Sequence, residues 1–275
     1  RTAHLVAVTL PRRMGRSSMV DRPDRCMSLA AVGWLTLAVA TARAAVDPEA
    51  AVGVWLMDED GGHTATDSSG RDFEGVLHGA EWAAGKFGSA LKFDGVSWVS
   101  IPDHPDLEVG DQLSMMAWLF VEDIGDWRQL ISKHEEYLLR IDPPGGGNTM
   151  SAFVHAAGGW EPRASANGPN TEEWTHFAAT YDREAAGDTD HLKVYVNGSL
   201  AGKSMRPGDI SAGGGVVEIG RWGSIGIIDE VAIFNVALEE ADIADIAENG
   251  LHVALGGLPV NPTGRLAIAW AALKH

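Results

Sequence analysis

Cysteine, basic side chains and long apolar runs are all scarce in this 275-residue chain, and each shortage excludes a class of protein. The single Cys26 lies near the N-terminus, so the rest of the chain has no disulfide. No apolar run reaches the ~18 residues that indicate a membrane-spanning helix, which excludes a polytopic membrane protein. In contrast, 33 Gly and 12 Pro disfavour a mostly helical fold, because both residues destabilise helix interiors.

The acidic excess lies after residue 44. Residues 1–44 hold seven Arg and two Asp, so the remaining chain carries 14 basic and 36 acidic residues, a formal charge of −22. A surface this negative repels phosphate backbones and anionic lipid headgroups. We therefore expect no nucleic-acid partner, and the charge favours cations or neutral ligands such as sugars.

The N-terminal segment has the pattern of a secretory signal. Arg22 and Arg25 precede a mostly apolar stretch over residues 29–40, and Ala42-Arg43-Ala44 follows with the small-x-small pattern of a signal peptidase site. We predict cleavage after Ala44, a start at Met19, and residues 1–18 as untranslated. A short membrane anchor is the alternative, although the stretch is shorter than the ~20 residues that span a bilayer. The expected location is secreted or cell-envelope, with no transmembrane span in the mature chain.

After residue 45, short apolar runs are broken every 8–12 residues by Gly, Pro, Asn or Asp, as in antiparallel sandwiches. At Asn197-Gly198 the turn residues favour a type I′ hairpin turn, because they tolerate positive φ. We predict thirteen strands, over 52–57, 73–78, 90–93, 98–101, 113–121, 129–133, 137–141, 150–155, 174–181, 191–196, 200–205, 216–219 and 226–234. Thirteen short strands need two packed sheets.

One helix is predicted, over residues 238–249. Leu238, Ile243 and Ile246 recur at helical spacing, acidic residues lie near the N-terminal end, and Gly250 suits the position after the last turn. We therefore predict one domain over 45–250. The remaining residues, 251–275, are predicted to be a poorly ordered extension.

Several short motifs resemble the laminin-G-like jelly-roll family of the concanavalin A-like lectin/glucanase group, in the family's order over about residues 51–250. The resemblance implies an all-β fold, in which two antiparallel sheets form a jelly-roll sandwich, and an extracellular protein that binds glycans or proteins. The matching segments are Val54-Trp55, Asp67-Ser-Ser-Gly70, Gly85-Lys-Phe-Gly-Ser-Ala-Leu-Lys-Phe-Asp-Gly95, Ile101-Pro-Asp103, Ala117-Trp118, Ile131-Ser-Lys133, Trp174-Thr-His176, Tyr181-Asp182, Val194-Tyr-Val-Asn-Gly198, Ile219-Gly-Arg221 and Ile228-Asp-Glu-Val231.

Related jelly rolls include lichenases and laminarinases, whose signature is Glu-x-Asp-x-x-Glu on one strand. This signature is absent from the sequence. Asp229 and Glu230 are adjacent, and alternation along a strand predicts that they point to opposite faces. We therefore expect no catalytic residues, while a glycoside hydrolase with an unrecognised acid pair is an alternative hypothesis. His176 shares a strand face with Trp174, and we interpret it as a hydrogen-bonded strand histidine and not as a catalytic one.

The resemblance also implies one structural Ca²⁺, with Asp229 matching an aspartate ligand of the last long strand and Asp67 as its partner. Arg71, which follows the Asp67 turn, departs from the family pattern. Its positive charge would repel a cation bound nearby. The alternative is that Asp67 forms an Asx-turn and that Asp229 pairs with an Arg or a backbone amide. A calcium-stabilised structural module of an envelope assembly is accordingly a third hypothesis.

Sugar recognition needs flat aromatic rings beside polar groups. Trp127, Trp160 and Trp222 lie next to loop signals, and Arg221 precedes the last of them. We predict these four as ligand-binding residues, the alternative being that each Trp covers an edge of the sandwich. The leading hypothesis is a secreted, non-catalytic module that binds a glycan or an extracellular protein.

Overall fold

The computed structural model describes residues 46–187 and 190–257. The predicted signal segment and the last residues, 258–275, lie outside the described residues. The strands are β1 (Ala51–Trp55), β2 (Thr64–Ala65), β3 (Gly75–His78), β4 (Glu81–Ala84), β5 (Ser89–Asp94), β6 (Trp98–Ile101), β7 (Gln112–Val121), β8 (Arg128–Lys133), β9 (Tyr137–Ile141), β10 (Thr149–Val154), β11 (Ala164–Asn167), β12 (Trp174–Asp182), β13 (Leu192–Val196), β14 (Ser199–Ser204), β15 (Val217–Ile219) and β16 (Ile225–Phe234). The helices are α1 (Glu240–Asn249) and α2 (Leu251–Ala254).

These strands form two antiparallel sheets of eight strands each. Sheet A has the order β14-β13-β12-β7-β16-β5-β4, and β1 also pairs with β16. Sheet B has the order β11-β10-β9-β8-β15-β6-β3-β2. Each sheet also pairs strands that are far apart in sequence, such as β7 with β16 in sheet A and β6 with β15 in sheet B, as in a jelly roll. The predicted all-β, two-sheet jelly-roll fold is confirmed.

An apolar layer between the two sheets forms the main core. Along β7, Met115, Ala117 and Leu119 alternate into this layer, and from sheet B it receives residues such as Ile131 and Tyr137. Alternation follows from the pleat of a strand, which directs successive side chains to opposite faces. Each buried strand therefore leaves its other row of side chains for a second environment.

In sheet A that second row is covered by the helices. Leu251 and Ile246 pack with sheet residues such as Phe234 in a separate apolar cluster. The helix predicted over 238–249 is observed from Glu240, and Gly250 follows it with a φ of 80°. The helix α2 comes directly after Gly250, so the first residues of the predicted extension are folded against the sandwich.

Three observed strands, β2, β4 and β11, fall outside the predicted ones. All three are short, and each lies at the edge of a sheet. An edge strand that packs on few neighbours needs little apolar character. The sequence of β11, Ala-Ser-Ala-Asn, consequently carries a weak strand pattern.

Two segments that carry the family resemblance are joined by an ion pair between the buried Lys133 and the exposed Asp103. The Lys133 ammonium lies 3.1 Å from an Asp103 carboxylate oxygen and also contacts Glu136. Lys133 and Glu136 are both fully buried, and Glu136 accepts a 2.9 Å hydrogen bond from the Gly213 N–H. A buried charge requires such partners, so Asp103 and Lys133 have a structural role.

His176 lies on the outer face of sheet A beside Trp118, with ring centroids 5.4 Å apart. It is fully buried, and neither ring nitrogen has a hydrogen-bond partner among the described residues. The interpretation of a hydrogen-bonded strand histidine is therefore wrong for its ring. Burial lowers the pKa of His176 to about 3, because the charged form would lose its hydration.

We expect His176 to destabilise the protein in acid. Its unfolded pKa is near 6.5 and its folded pKa about 3, so the unfolded state alone binds the proton as the pH falls from 6.5 toward 3. The free energy of unfolding should fall by up to about 1.4 kcal/mol per pH unit from this group. The measurement is urea unfolding at several pH values for wild type and His176→Leu.

The difference between these two proteins isolates the histidine from other titrating groups. His63→Leu is the matched control, because it makes the same substitution at an exposed position. Parallel pH profiles for wild type and His176→Leu would contradict the assignment.

Candidate functional site

The outer face of sheet B is the sheet surface without a helix in the described part of the chain. Along β6, Val99 and Ile101 enter the core, so Trp98 and Ser100 face outward. The same alternation places Leu138 of β9 outward. The face is thus half-buried, polar and rich in aromatic rings.

Two of the predicted tryptophans line the same cavity over this face. Trp160, from the loop between β10 and β11, and Trp222, from the loop between β15 and β16, line one cavity of about 140 Å³. Trp222 is 64% exposed. Polar groups of the strands complete the lining, which includes Gln129, Ser132 and Glu218.

Arg221 is held between two indole rings and not free in the cavity. Its guanidinium carbon lies 3.8 Å from the Trp98 ring centroid and 5.2 Å from that of Trp222. Glu218 is 3.5 Å from the same guanidinium. The His78 ring stacks on the Trp98 ring, with the two centroids 4.4 Å apart. Arg221 is therefore placed to fix the base of the Trp222 loop through cation–π contacts.

The loop that carries Trp160 is held by a buried arginine. Arg206 follows β14 and is only 5% exposed. All of its acceptors are backbone carbonyls around that loop, namely those of Val154 (3.1 Å), Ala156 (2.6 Å), Gly159 and Glu161 (2.6 Å). A planar guanidinium can satisfy several carbonyls at once. Arg206 thus fixes the backbone on both sides of Trp160.

Trp127 is not brought into the cavity. Its ring lies against the Arg140 guanidinium at 4.4 Å, and it is 42% exposed. Arg140 in turn pairs with the buried Asp142 at 2.6 Å, which also accepts from Arg163 at 3.0 Å. Trp127 thus belongs to an arginine-rich cluster outside the lining of the cavity.

Both carboxylate oxygens of Asp67 accept hydrogen bonds from protein donors. One of its oxygens accepts from the N–H groups of Val54 (3.0 Å) and Ser69 (2.9 Å). The other accepts from the Ser69 hydroxyl (2.8 Å) and the Phe73 N–H (3.1 Å). This is the Asx-turn alternative, and Asp67 joins β1 to the following loop.

Asp229 holds a different turn. One oxygen accepts from the Lys86 and Phe87 N–H groups at 2.7 and 3.0 Å, and burial raises the pKa of Asp229 to about 8. No group of three or more metal-ligating side chains is found in residues 46–187 and 190–257. The second Asp229 oxygen is buried and has no hydrogen-bond partner among the described residues. Calcium binding itself stays a prediction.

The expectation that the Asp229 and Glu230 side chains point to opposite faces is wrong, because a β-bulge interrupts the alternation. The register of β16 shifts between Asp229 and Ala232, and Glu230 has a φ of 50°. Glu230 accepts from the Leu251 N–H, so both carboxylates lie on the helix-covered side of sheet A. Burial raises the pKa of Glu230 to about 7. Both side chains are almost fully inaccessible.

Several residues of this site were not predicted from the sequence. Gln129, Ser132 and Glu218 are ordinary strand residues whose outward direction is predictable only once the strand faces are assigned. Trp98 has a usable signal, because Val99 and Ile101 beside it are apolar. Arg206 has none, since its carbonyl acceptors lie about 50 residues earlier in the chain.

Neither helix of the described residues has the length and apolar character needed to cross a membrane. No curated protein sequence matches the chain. Solved structures do match it. Domain 4 of the GH43 extracellular arabinanase of Geobacillus stearothermophilus, in complex with arabinotriose, is 21% identical with a TM-score of 0.57, over 72% of this chain and 98% of that domain.

Two further structures match only through part of their length. The receptor-binding domain of botulinum neurotoxin C/D mosaic serotype is 13% identical, with a TM-score of 0.57, over 73% of this chain and 51% of that one. The Trypanosoma rangeli sialidase in complex with sialic acid is 15% identical, with a TM-score of 0.52, over 71% and 32%. At these identities the matches show the fold.

A family model described as the concanavalin A-like lectin/glucanases superfamily matches residues 93–244. The matched range runs from the end of β5 into α1 and so includes the loops of Trp160 and Trp222. Because it covers more than half of the sequence, the chain belongs to this laminin-G-like family of the concanavalin A-like lectin/glucanases superfamily.

Proposed function

We propose that the chain is an exported, non-catalytic module that binds carbohydrate through the outer face of sheet B. The observation that carries the proposal is the cavity shared by Trp160 and Trp222. Indole rings pack against the apolar face of a sugar ring, and neighbouring polar groups bond its hydroxyls. Gln129, Ser132 and Glu218 are polar groups of that kind in the same cavity.

The structural comparison supports a carbohydrate ligand. The arabinanase domain that this fold matches over 98% of its length is in complex with arabinotriose. The acidic composition also favours a neutral ligand over an anionic one. Export is supported by the signal-like pattern of residues 1–44 alone.

The state of the buried carboxylates supports a binding module over a hydrolase. A retaining glycosidase needs two carboxyl groups about 5–5.5 Å apart beside the substrate. Asp229 and Glu230 are buried beneath the helices and engaged with backbone N–H groups. Asp142 lies beneath sheet-face arginines and is paired with both of them.

A protein ligand is the second candidate, since an indole as exposed as that of Trp222 is also typical of an anchor in protein interfaces. The toxin structure that shares the fold is a receptor-binding domain. Screening on glycan and extracellular-protein arrays separates the two candidates. Silence on both arrays would contradict a recognition function.

The affinity for a glycan should depend on the two cavity tryptophans. We expect Trp160→Ala and Trp222→Ala each to weaken binding of a glycan-array ligand at least about tenfold, because a lost stacking contact of ~1.5 kcal/mol corresponds to that factor. Isothermal titration calorimetry measures the affinity. Thermal unfolding confirms that the variants remain folded.

Val253→Ala is the matched control, because Val253 is 61% exposed on α2, away from sheet B. Trp127→Ala should have a smaller effect than the other two, since Trp127 does not line the cavity. Unchanged affinity in both Trp160→Ala and Trp222→Ala would rule out this site.

Arg206 should contribute both to stability and to ligand affinity. Lysine cannot reach all of the backbone carbonyls that the guanidinium bonds, so Arg206→Lys should lower the free energy of unfolding by about 2 kcal/mol. The loop of Trp160 should loosen, and ligand affinity should fall even where the protein is fully folded. Urea unfolding and calorimetry measure the two effects.

Arg183→Lys provides a control of the same chemistry at the surface, where Arg183 pairs with Asp209 and Glu184. A surface change of this kind should alter stability by no more than ~0.5 kcal/mol. If Arg206→Lys binds as tightly as wild type, Arg206 does not position Trp160 for the ligand.

A further inference from the structure

An arginine pair, Arg140 and Arg163, adjoins the cavity of Trp160 and Trp222 on the outer face of sheet B. Arg140 of β9 lies opposite Gln129 of β8 in the strand register, and Gln129 lines the cavity. Side chains directly opposite each other on neighbouring strands have Cβ atoms ~5 Å apart. Arg163 follows Trp160 in the same loop and directly precedes β11. Both arginines are therefore close to the cavity in the fold or along the chain.

Aromatic rings hold both guanidinium groups over the sheet. The neighbours of Phe153 along β10 enter the core, so the Phe153 ring faces outward. Its centroid lies 4.5 Å from the guanidinium carbon of Arg140 and 5.2 Å from that of Arg163. The Trp127 ring lies against Arg140 as well. Cation–π contacts of this kind fix a guanidinium without using its N–H groups.

The buried Asp142 uses only part of each guanidinium. Its oxygens accept from Arg140 Nε at 2.6 Å and from Arg163 Nη1 at 3.0 Å, and hydroxyl groups of β10 supply its other bonds. Both Nη groups of Arg140 and Nη2 of Arg163 have no hydrogen-bond partner in the described part of the chain. None of these nitrogens belongs to the buried polar atoms that lack a partner there, so solvent reaches them. They are open to a ligand.

The cluster has a surplus of one positive charge, because two arginines face one buried carboxylate. Glu161 lies at its rim, with an oxygen 3.5 Å from Arg163 Nε, and is exposed, so water and salt screen this pairing. In the cavity, by contrast, Arg221 is matched by Glu218. The acidic excess of the chain disfavours a ligand with many charges. The local surplus accordingly fits one anionic group per ligand.

We propose that the arginine pair binds the carboxylate of an acidic sugar, while the neighbouring neutral unit of the same glycan occupies the cavity. A carboxylate can accept two parallel hydrogen bonds from a guanidinium, which a neutral hydroxyl cannot. The rings and Asp142 already hold both arginines, so little side-chain freedom is lost on binding. This inference rests on the proposed function and assigns its ligand to glycans that carry a uronate or a sialate.

The test compares acidic oligosaccharides with matched neutral ones, by calorimetry and by the indole N–H signals of ¹⁵N-labelled protein. The pairs are xylotriose with and without one glucuronate, and lactose with and without one sialate. The Trp127 indole reports on the arginine pair, because its ring lies on Arg140, and the Trp222 indole reports on the cavity. Trp127→Phe and Trp222→Phe assign the two signals.

We expect one acidic probe to bind at least about tenfold more tightly than its neutral match, since hydrogen bonds between charged groups are the stronger ones. That probe should shift both indole signals, whereas its neutral match should shift the Trp222 signal alone. The pair of probes that shows the gain distinguishes a uronate from a sialate.

Arg163→Gln should remove most of this gain and leave the affinity for the neutral probe unchanged. Asp142 keeps Arg140 and two hydroxyl groups as partners in this variant, and thermal unfolding checks that it remains folded. Arg183→Gln is the matched control, because it removes a partly exposed arginine that pairs with Asp209 in another part of the fold. It should bind both kinds of probe as the wild type does.

Glu161→Gln tests the same contact in the opposite direction. The Glu161 carboxylate competes with an anionic ligand for Arg163, whereas a glutamine keeps an oxygen for the backbone N–H of Arg163. The affinity for the acidic probe should rise about two- to threefold, the size expected for one exposed ion pair. The affinity for the neutral probe should stay the same.

The outcomes separate this inference from the proposed function. Acidic and neutral probes that bind equally and shift only the Trp222 indole would overturn the inference and leave the cavity its role. An acidic probe that shifts only the Trp127 indole would support the carboxylate site and overturn the proposed function of the cavity. Silence of both indoles with every probe at millimolar concentration would overturn both.

Discussion

The alternation of side chains across two stacked sheets is the constraint on which the rest of the structure depends. One row of each strand fills the layer between the sheets, so each sheet has one remaining face. In sheet A that face is buried by α1 and α2. In sheet B it is open, and Trp98, Trp160 and Trp222 gather over it. The position of the candidate site thus follows from where the helices pack.

Buried polar groups then fix the loops that this sandwich leaves irregular. Asp67 bonds backbone N–H groups of β1 and of its own loop, and Asp229 bonds those of a distant turn. Lys133 joins two loops through Asp103 and Glu136. Arg206 also fixes a loop, but as a donor: its guanidinium donates hydrogen bonds to backbone carbonyls. Burial is tolerated because each group has such partners.

This arrangement explains why the motifs that carry the family resemblance contribute few residues to the proposed site. The aspartates of the Asp67 and Asp229 motifs are taken up by turns, and Lys133 by an ion pair. Trp160 and Trp222 lie instead in loops outside these motifs. One set of residues thus maintains the fold, and the proposed site uses another.

The strands that lie between two other strands were predictable from the sequence, because their apolar periodicity is strong. The edge strand β11 was not, since few of its side chains must be apolar. The bulge at Glu230 was equally invisible, because nothing in Ile-Asp-Glu-Val marks an extra residue in the register. These misses arise from tertiary context that local patterns do not encode.

For the site, the sequence identified Trp160 and Trp222 as loop tryptophans but not their shared cavity. The separation of Trp127 from them depends on Arg140, which draws that ring into another cluster. Arg206 depends on a long-range contact that no local pattern predicts. Loop residues are predictable by type, whereas their convergence is a property of the folded sandwich.

The most direct test of the account is a crystal structure of the protein grown with an oligosaccharide identified on a glycan array. The account predicts sugar rings packed on Trp160 and Trp222, with hydroxyls bonded to Gln129, Ser132 or Glu218. Sugar density confined to the helix-covered side of sheet A, with the outer face of sheet B empty, would contradict it.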